Sequence, residues 1–114
     1  MSDDEISPLR VDTRDAANWQ QRNDIAVCSL FENSQESVCL LRMQTGSLLS
    51  EPPLERGAEL LIVRGSLTEG DRIHCEGSWI RIPAGQRLTF MADKDASLVY
   101  LKTGLTGYKQ ERCP

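Results

Sequence analysis

Long apolar runs are missing from this chain: no uninterrupted apolar stretch exceeds four residues, Leu60-Leu61-Ile62-Val63 being one of them. A membrane-spanning helix needs about 20 such residues, so no span is expected. The opening Met1-Ser2-Asp3-Asp4-Glu5 is acidic and has no apolar centre, which is not how a secretory signal begins. The four cysteines, Cys28, Cys39, Cys75 and Cys113, form no CxxC pair, which excludes a zinc knuckle or a thioredoxin-type motif. The phosphate-cradling glycine loop, GxSxG and HExxH are also absent. Histidine is nearly absent, with His74 alone, so any Ser-His-Asp or Cys-His pair would have to use it. The expected setting is the cytoplasm, with reduced thiols.

Clustered cations are lacking too. Thirteen Lys and Arg stand singly against seventeen Asp and Glu, for a net charge of -4. Affinity for nucleic acid comes from neutralising phosphates, so no nucleic-acid partner is expected.

What is present is a strand texture. With 114 residues the chain has room for one domain, read as a tail over 1–8 and a domain over 9–114. Short apolar stretches run from Ile25 to Phe31, Ser37 to Met43, Ala58 to Arg64, Asp71 to Cys75, Ser78 to Ile82, Arg87 to Met91 and Ser97 to Leu101. Gly, Pro, Asn and Asp punctuate them, as in Glu32-Asn33-Ser34, Glu69-Gly70-Asp71 and Pro83-Ala84-Gly85. Many short strands closed by turn residues predict an all-β sandwich or barrel. Asp15 to Arg22 has room for one or two helical turns, and Ser66 to Glu76 is charged enough for a solvated loop or an edge ribbon.

Two further features follow from spacing. Leu60 to Val63 is apolar on both faces, whereas a strand at a sandwich surface alternates with polar residues. Its second face therefore needs a cover: the N-terminal segment, or a second copy docked on the face of Leu61 and Val63, making a homodimer. Cys28 and Cys39 lie symmetrically about Asn33-Ser34, so a hairpin turning there sets them opposite each other as reduced, small core residues.

Two glycine-anchored blocks carry the most specific pattern. The first runs from Gly46 through Pro52-Pro53-Leu54 and Ala58-Glu59 to Gly65. The second is Gly77-Ser78-Trp79-Ile80-Arg81-Ile82-Pro83-Ala84-Gly85-Gln86-Arg87-Leu88. This frame resembles the two motifs of the cupin superfamily, and the second block is most similar to the cupin domain of ChrR-type anti-sigma factors. Val11-Asp12-Thr13 and Asn18-Trp19-Gln20 add to that likeness. The resemblance implies a cupin-type jelly-roll barrel over residues of about 10 to 105. It also implies a metal held by an HxH pair, a glutamate and a later histidine. In this sequence those columns fall on Pro52, Leu54, Ala58 (or Glu59 at the shorter spacing) and Leu88. Zinc, iron or manganese needs three or four N, O or S donors, so no metal and no other cofactor is expected. In ChrR-type proteins sigma-factor inhibition belongs to a separate zinc-binding domain with an HxxxCxxC-like pattern, which does not occur in these residues.

The candidate interior pocket is therefore Pro52, Leu54, Ala58 and Leu88, with Trp79 either in the core or as a pocket wall. No catalytic residue is assigned. The first functional reading is a metal-free cupin that senses a small ligand, regulates or binds a partner; the occupant is a small apolar molecule or a regulatory protein. The alternative is a metal-independent isomerase or lyase on a small carboxylate. There Arg81 or Arg87 would bind the acid and His74 or Tyr100 would move a proton. Glu51, Glu55 and Glu59 share parity and are a candidate calcium set.

Overall fold

A computed structural model describes residues 9–93 and 96–104. The assigned tail 1–8, Lys94, Asp95 and the stretch 105–114 with Cys113 lie outside the described residues.

Ten strands run in chain order: β1 Trp19–Arg22, β2 Ile25–Glu32, β3 Ser37–Met43, β4 Leu48–Glu51, β5 Ala58–Arg64, β6 Ser66–Glu69, β7 Arg72–Cys75, β8 Trp79–Ile82, β9 Leu88–Ala92 and β10 Ser97–Thr103. A six-stranded sheet has the order β1-β2-β3-β10-β5-β8 and a four-stranded sheet the order β4-β9-β6-β7. Every pairing is antiparallel. The all-β sandwich read from the sequence is the observed architecture.

Alternation sets the core. On β9, Leu88, Phe90 and Ala92 are buried while Thr89 and Met91 face water, the two-residue period of a half-buried strand. Phe90, Met43, Leu60, Ile62, Leu67 and Val99 fill the centre. The two sheets are also joined by a buried hydroxyl. Ser97 Oγ donates to the Ser66 carbonyl at 2.9 Å and accepts from Ser66 N at 3.2 Å, so its burial leaves no polar group unpaired. Gly65 beside it has φ +89°, and a Cβ there would lie 2.6 Å from Ser97 Oγ and 2.8 Å from the Ala96 carbonyl. Only glycine fits that approach.

Several expectations change. Asp15 caps only a 3-10 turn over Ala16–Asn18, its carboxylate accepting from Ala17 N. Trp19–Arg22 then becomes an edge strand, because Asn23 takes φ 57° and turns β1 back onto β2; Asn tolerates that left-handed conformation. Ser66 to Glu76 is a β6–β7 hairpin whose β7 is indeed a sheet edge, but Leu67 is fully buried.

The cysteines are one residue out of register. A bulge between Ser29 and Phe31 shifts the pairing, so Cys28 faces Leu40 and Ser29 faces Cys39. Neighbouring positions point to opposite sides, so Cys28 and Cys39 sit on different faces of the sheet. Cys28, Cys39 and Cys75 are free thiols.

On β5, Leu60 and Ile62 enter the core, while Leu61 and Val63 point outward, 36% and 41% exposed. The described N-terminal segment does not cover them. It is tied instead to β1, at the far edge of the sheet, where Trp19 Nε1 donates to the Thr13 carbonyl.

Candidate functional site

A cavity of about 510 Å³ opens between β1, β2 and β3 of the larger sheet and β4 of the smaller. Inward alternation builds its apolar walls: Ile25 and Val27 from β2, Leu41 from β3, Leu49 from β4, Leu88 from β9 and Leu101 from β10. Leu54 adds the last wall from the loop after β4. That loop is anchored where the Leu54 carbonyl accepts from Gly57 N at 3.3 Å and Gly85 N at 2.9 Å. Gly85, with φ +84°, is the third residue of a turn in which Gln86 N donates to the Pro83 carbonyl. Positive φ at that position is the type II geometry, and glycine supplies it.

Polar groups ring these walls. Arg22 comes from β1, Glu32 from β2, Glu51 from β4, and Ser29, Ser37, Ser50 and Thr103 are also there. The Cys39 thiol faces the same space. Burial pushes its pKa up to about 11, Arg22 pulls against that, and Cys28, Glu51 and Glu32 add to the rise. Cys39 is therefore a neutral thiol at neutral pH and a poor nucleophile.

Of the assigned pocket residues, Leu54 and Leu88 line this cavity. Ala58 is fully buried in the core and does not line it. Pro52 is exposed, a correction with a clear cause. On β4 the inward residues are Leu49 and Glu51, opposite Phe90 and Leu88, and the strand ends at Glu51, before Pro52-Pro53. Proline has no N–H to continue the ladder. Trp79 is neither core nor pocket wall: it is 56% exposed, on the outer face opposite Leu61. The missed residues are Arg22, Cys39 and Glu51. Arg22 belonged to a stretch read as helical, Cys39 was read as core, and Glu51 was hidden by assuming that even-numbered parity continued through the two prolines.

The other constellations are dispersed. Glu51 faces the cavity, Glu55 is exposed in a loop and Glu59 lies on the outer face of β5, so the calcium set does not form. His74 sits on the smaller sheet, its Nε2 2.9 Å from Glu69 Oε1 and its ring edge-on to Phe90. Tyr100 and Arg81 face outward in rows with Leu61 and Glu59, and Arg87 is exposed. None of the four lines the cavity, so the machinery of the carboxylate enzyme is not assembled. A cupin metal does not fit this donor set either: Leu54 and Leu88 offer no lone pair. Among the described residues no three His, Cys, Asp or Glu side chains converge.

The architecture is that of the cupins, and solved structures share it. A chain of the Rhodobacter sphaeroides SigE complex with the anti-sigma ChrR superposes with TM-score 0.66 at 13% identity, over 80% of this chain and 49% of that one. The Schizosaccharomyces pombe Cnp3 cupin domain gives TM-score 0.62 at 18% identity, over 75% and 66%. KdgF from Halomonas sp. gives TM-score 0.67 at 15% identity, over 88% and 96%. This chain thus spans about half of the first of these and nearly all of KdgF. No family model matches the sequence, and no curated protein does. The fold is therefore a cupin jelly roll, and function rests on the site. Among the described residues no helix is long and apolar enough to cross a membrane.

Proposed function

We propose that this protein is a metal-free, cupin-fold sensing module: it takes a small molecule with an apolar body into the cavity and transmits occupancy to a regulatory protein partner. The cavity carries the reading. It combines about 510 Å³ of concave space with leucine-rich walls and as many polar residues, Gln20, Arg22, Glu32 and Glu51 among them; apolar and polar groups converging on one concavity suit an amphiphilic small molecule. Leu54 and Leu88 keep the walls dry, where an unpaired imidazole would be costly to bury. Arg22 and Glu51 orient the ligand's polar end. The module acts in the cytoplasm as a homodimer, with no nucleic-acid or membrane partner. The ChrR likeness, which spans 49% of that chain, supports a protein partner; the sigma-factor inhibition of ChrR-type proteins belongs to a separate zinc-binding domain and is no part of this reading.

The test uses 8-anilinonaphthalene-1-sulfonate, an amphiphile with an apolar body, followed by a melt-shift screen of similar compounds. Saturable binding that Leu54→Trp abolishes, by filling the cavity, is expected. Compounds that bind Leu54→Trp and the natural protein equally, or no binding at all, would sink the reading.

A further inference from the structure

Arg22 and Glu51 border one cavity from two different sheets. Arg22 ends β1, an edge of the larger sheet, and Glu51 ends β4, an edge of the smaller. No ladder joins these edges. The turns beside them are tied where Ser47 Oγ donates to the Asp24 carbonyl at 3.1 Å.

Neither charge is matched within the chain. Among the described residues the ion pairs are Arg14–Asp12, His74–Glu69 and Lys102–Glu36, and the side chains of Arg22 and Glu51 make no hydrogen bond. Glu51 is the more exacting of the two. It is half-buried and lies opposite the fully buried Leu88, where a carboxylate gives up hydration that no partner replaces. Arg22 and Glu51 also act through space, with opposite sign, on the Cys39 thiol, so the two charges flank one point of the cavity wall. Glu32, exposed at the end of β2, acts there with the sign of Glu51.

We propose that the ligand is a zwitterion with an apolar body, of the kind an apolar α-amino acid presents, its ammonium on Glu51, its carboxylate on Arg22 and its side chain against Leu54 and Leu88. This rests on the sensing-module reading above and names the ligand class. A guanidinium grips a carboxylate through two parallel hydrogen bonds, and an ammonium has three donors for Glu51 and its surroundings. A bare amine would gain Glu51 but meet Arg22 as a like charge. A bare acid would gain Arg22 but meet Glu51 and Glu32. Only a ligand of both signs is held by each side chain, and it then links β1 to β4 across edges that share no ladder.

Calorimetric titration of the full chain with compounds that share one benzene ring tests this. L-phenylalanine carries both charges, 2-phenylethylamine the ammonium alone and 3-phenylpropionate the carboxylate alone. L-phenylalanine should bind about tenfold or more tighter than either, as one charge-assisted contact gives. The amine should outrank the acid, because Glu32 and Glu51 face a single guanidinium. Arg22→Met should bring L-phenylalanine down to the level of the amine or below, and Glu51→Gln to the level of the acid, each a loss of about tenfold. Leu54→Trp should remove binding of the whole series, and Glu55→Gln, outside the cavity, should leave it unchanged.

An amine that binds as tightly as L-phenylalanine would make this a cation site and an acid that does so an anion site; either overturns the proposal. So does an L-phenylalanine affinity that neither Arg22→Met nor Glu51→Gln lowers, or no binding by any of the compounds. The series on the natural protein decides without any variant having to fold. Saturable dye binding that Leu54→Trp abolishes, with no preference for the zwitterion, sinks the ligand class and leaves the cavity reading standing. Dye and L-phenylalanine that bind Leu54→Trp as they bind the natural protein sink both.

Discussion

Glu51 stands directly opposite Leu88 in the β4–β9 pair, and both side chains line the cavity. A carboxylate thus already occupies the strand position from which a metal ligand would reach inward, one residue before the column expected from the glycine frame. Leu54 lines the same space from the following loop.

That relationship changes how a metal site would be built here. Leu54→His with Leu88→His, keeping Glu51, should create measurable zinc affinity by calorimetry, because three donors then share one cavity. Pro52→His should add nothing, since Pro52 is exposed. Elemental analysis of the natural protein, purified without chelator, should find no stoichiometric zinc, iron, nickel or manganese.

Cys39 should resist alkylation at neutral pH, while the exposed Cys75 reacts first; peptide mass spectrometry after timed iodoacetamide treatment reads both. Its folded pKa of about 11 lies above the ordinary value of 9.0, so the folded chain holds this proton more tightly than the unfolded chain. The associated stability is present below pH 9.0 and is lost as pH rises towards about 11. Arg22→Met removes the charge that favours the thiolate and should slow alkylation of Cys39 further.

The Ser97 hydroxyl bridges both main-chain groups of Ser66. Ser97→Ala takes this partner from the half-buried Ser66 amide, while the carbonyl keeps its bond from Asp93 N at 3.2 Å, and should cost about 1 kcal/mol, read as a lowered midpoint in urea. Gly65→Ala should cost more, because it adds a clash to a φ of +89°. If the two variants unfolded at the natural midpoint, the bridge would contribute nothing.

Arg42→Ala should redden Trp19 emission and cost about 0.5–1 kcal/mol, the usual scale of an exposed cation–π contact. A Trp19→Phe background, which removes most of the ring's pull on the cation, should shrink the loss.

Local chemistry made much of the fold legible. Leu88, Phe90 and Ala92 alternate with Thr89 and Met91, and that period names both the strand and its buried face. Gly65, Gly77 and Gly85 all adopt positive φ, so the frame they make reports real backbone constraints. The two-sided apolarity of Leu60 to Val63 likewise marked a strand whose outer face stays greasy in the folded chain. Trp19–Arg22 was not legible, since four residues reading Trp-Gln-Gln-Arg become a strand only when β2 supplies the hydrogen bonds. The cavity was half legible. Leu54 and Leu88 follow from the motif columns, but Arg22, Cys39 and Glu51 depend on events that sequence spacing does not encode. A bulge after Ser29 sets Cys28 opposite Leu40 and so on the other face from Cys39, and the strand's end at Pro52 decides that Glu51, not Pro52, points inward. Each is a shift of a single residue. In a β-strand such a shift moves a side chain to the opposite side of the sheet, so the sequence determined the alternating strands and two of the cavity's walls, while tertiary pairing decided the edge strand β1 and the places of Arg22, Cys39 and Glu51.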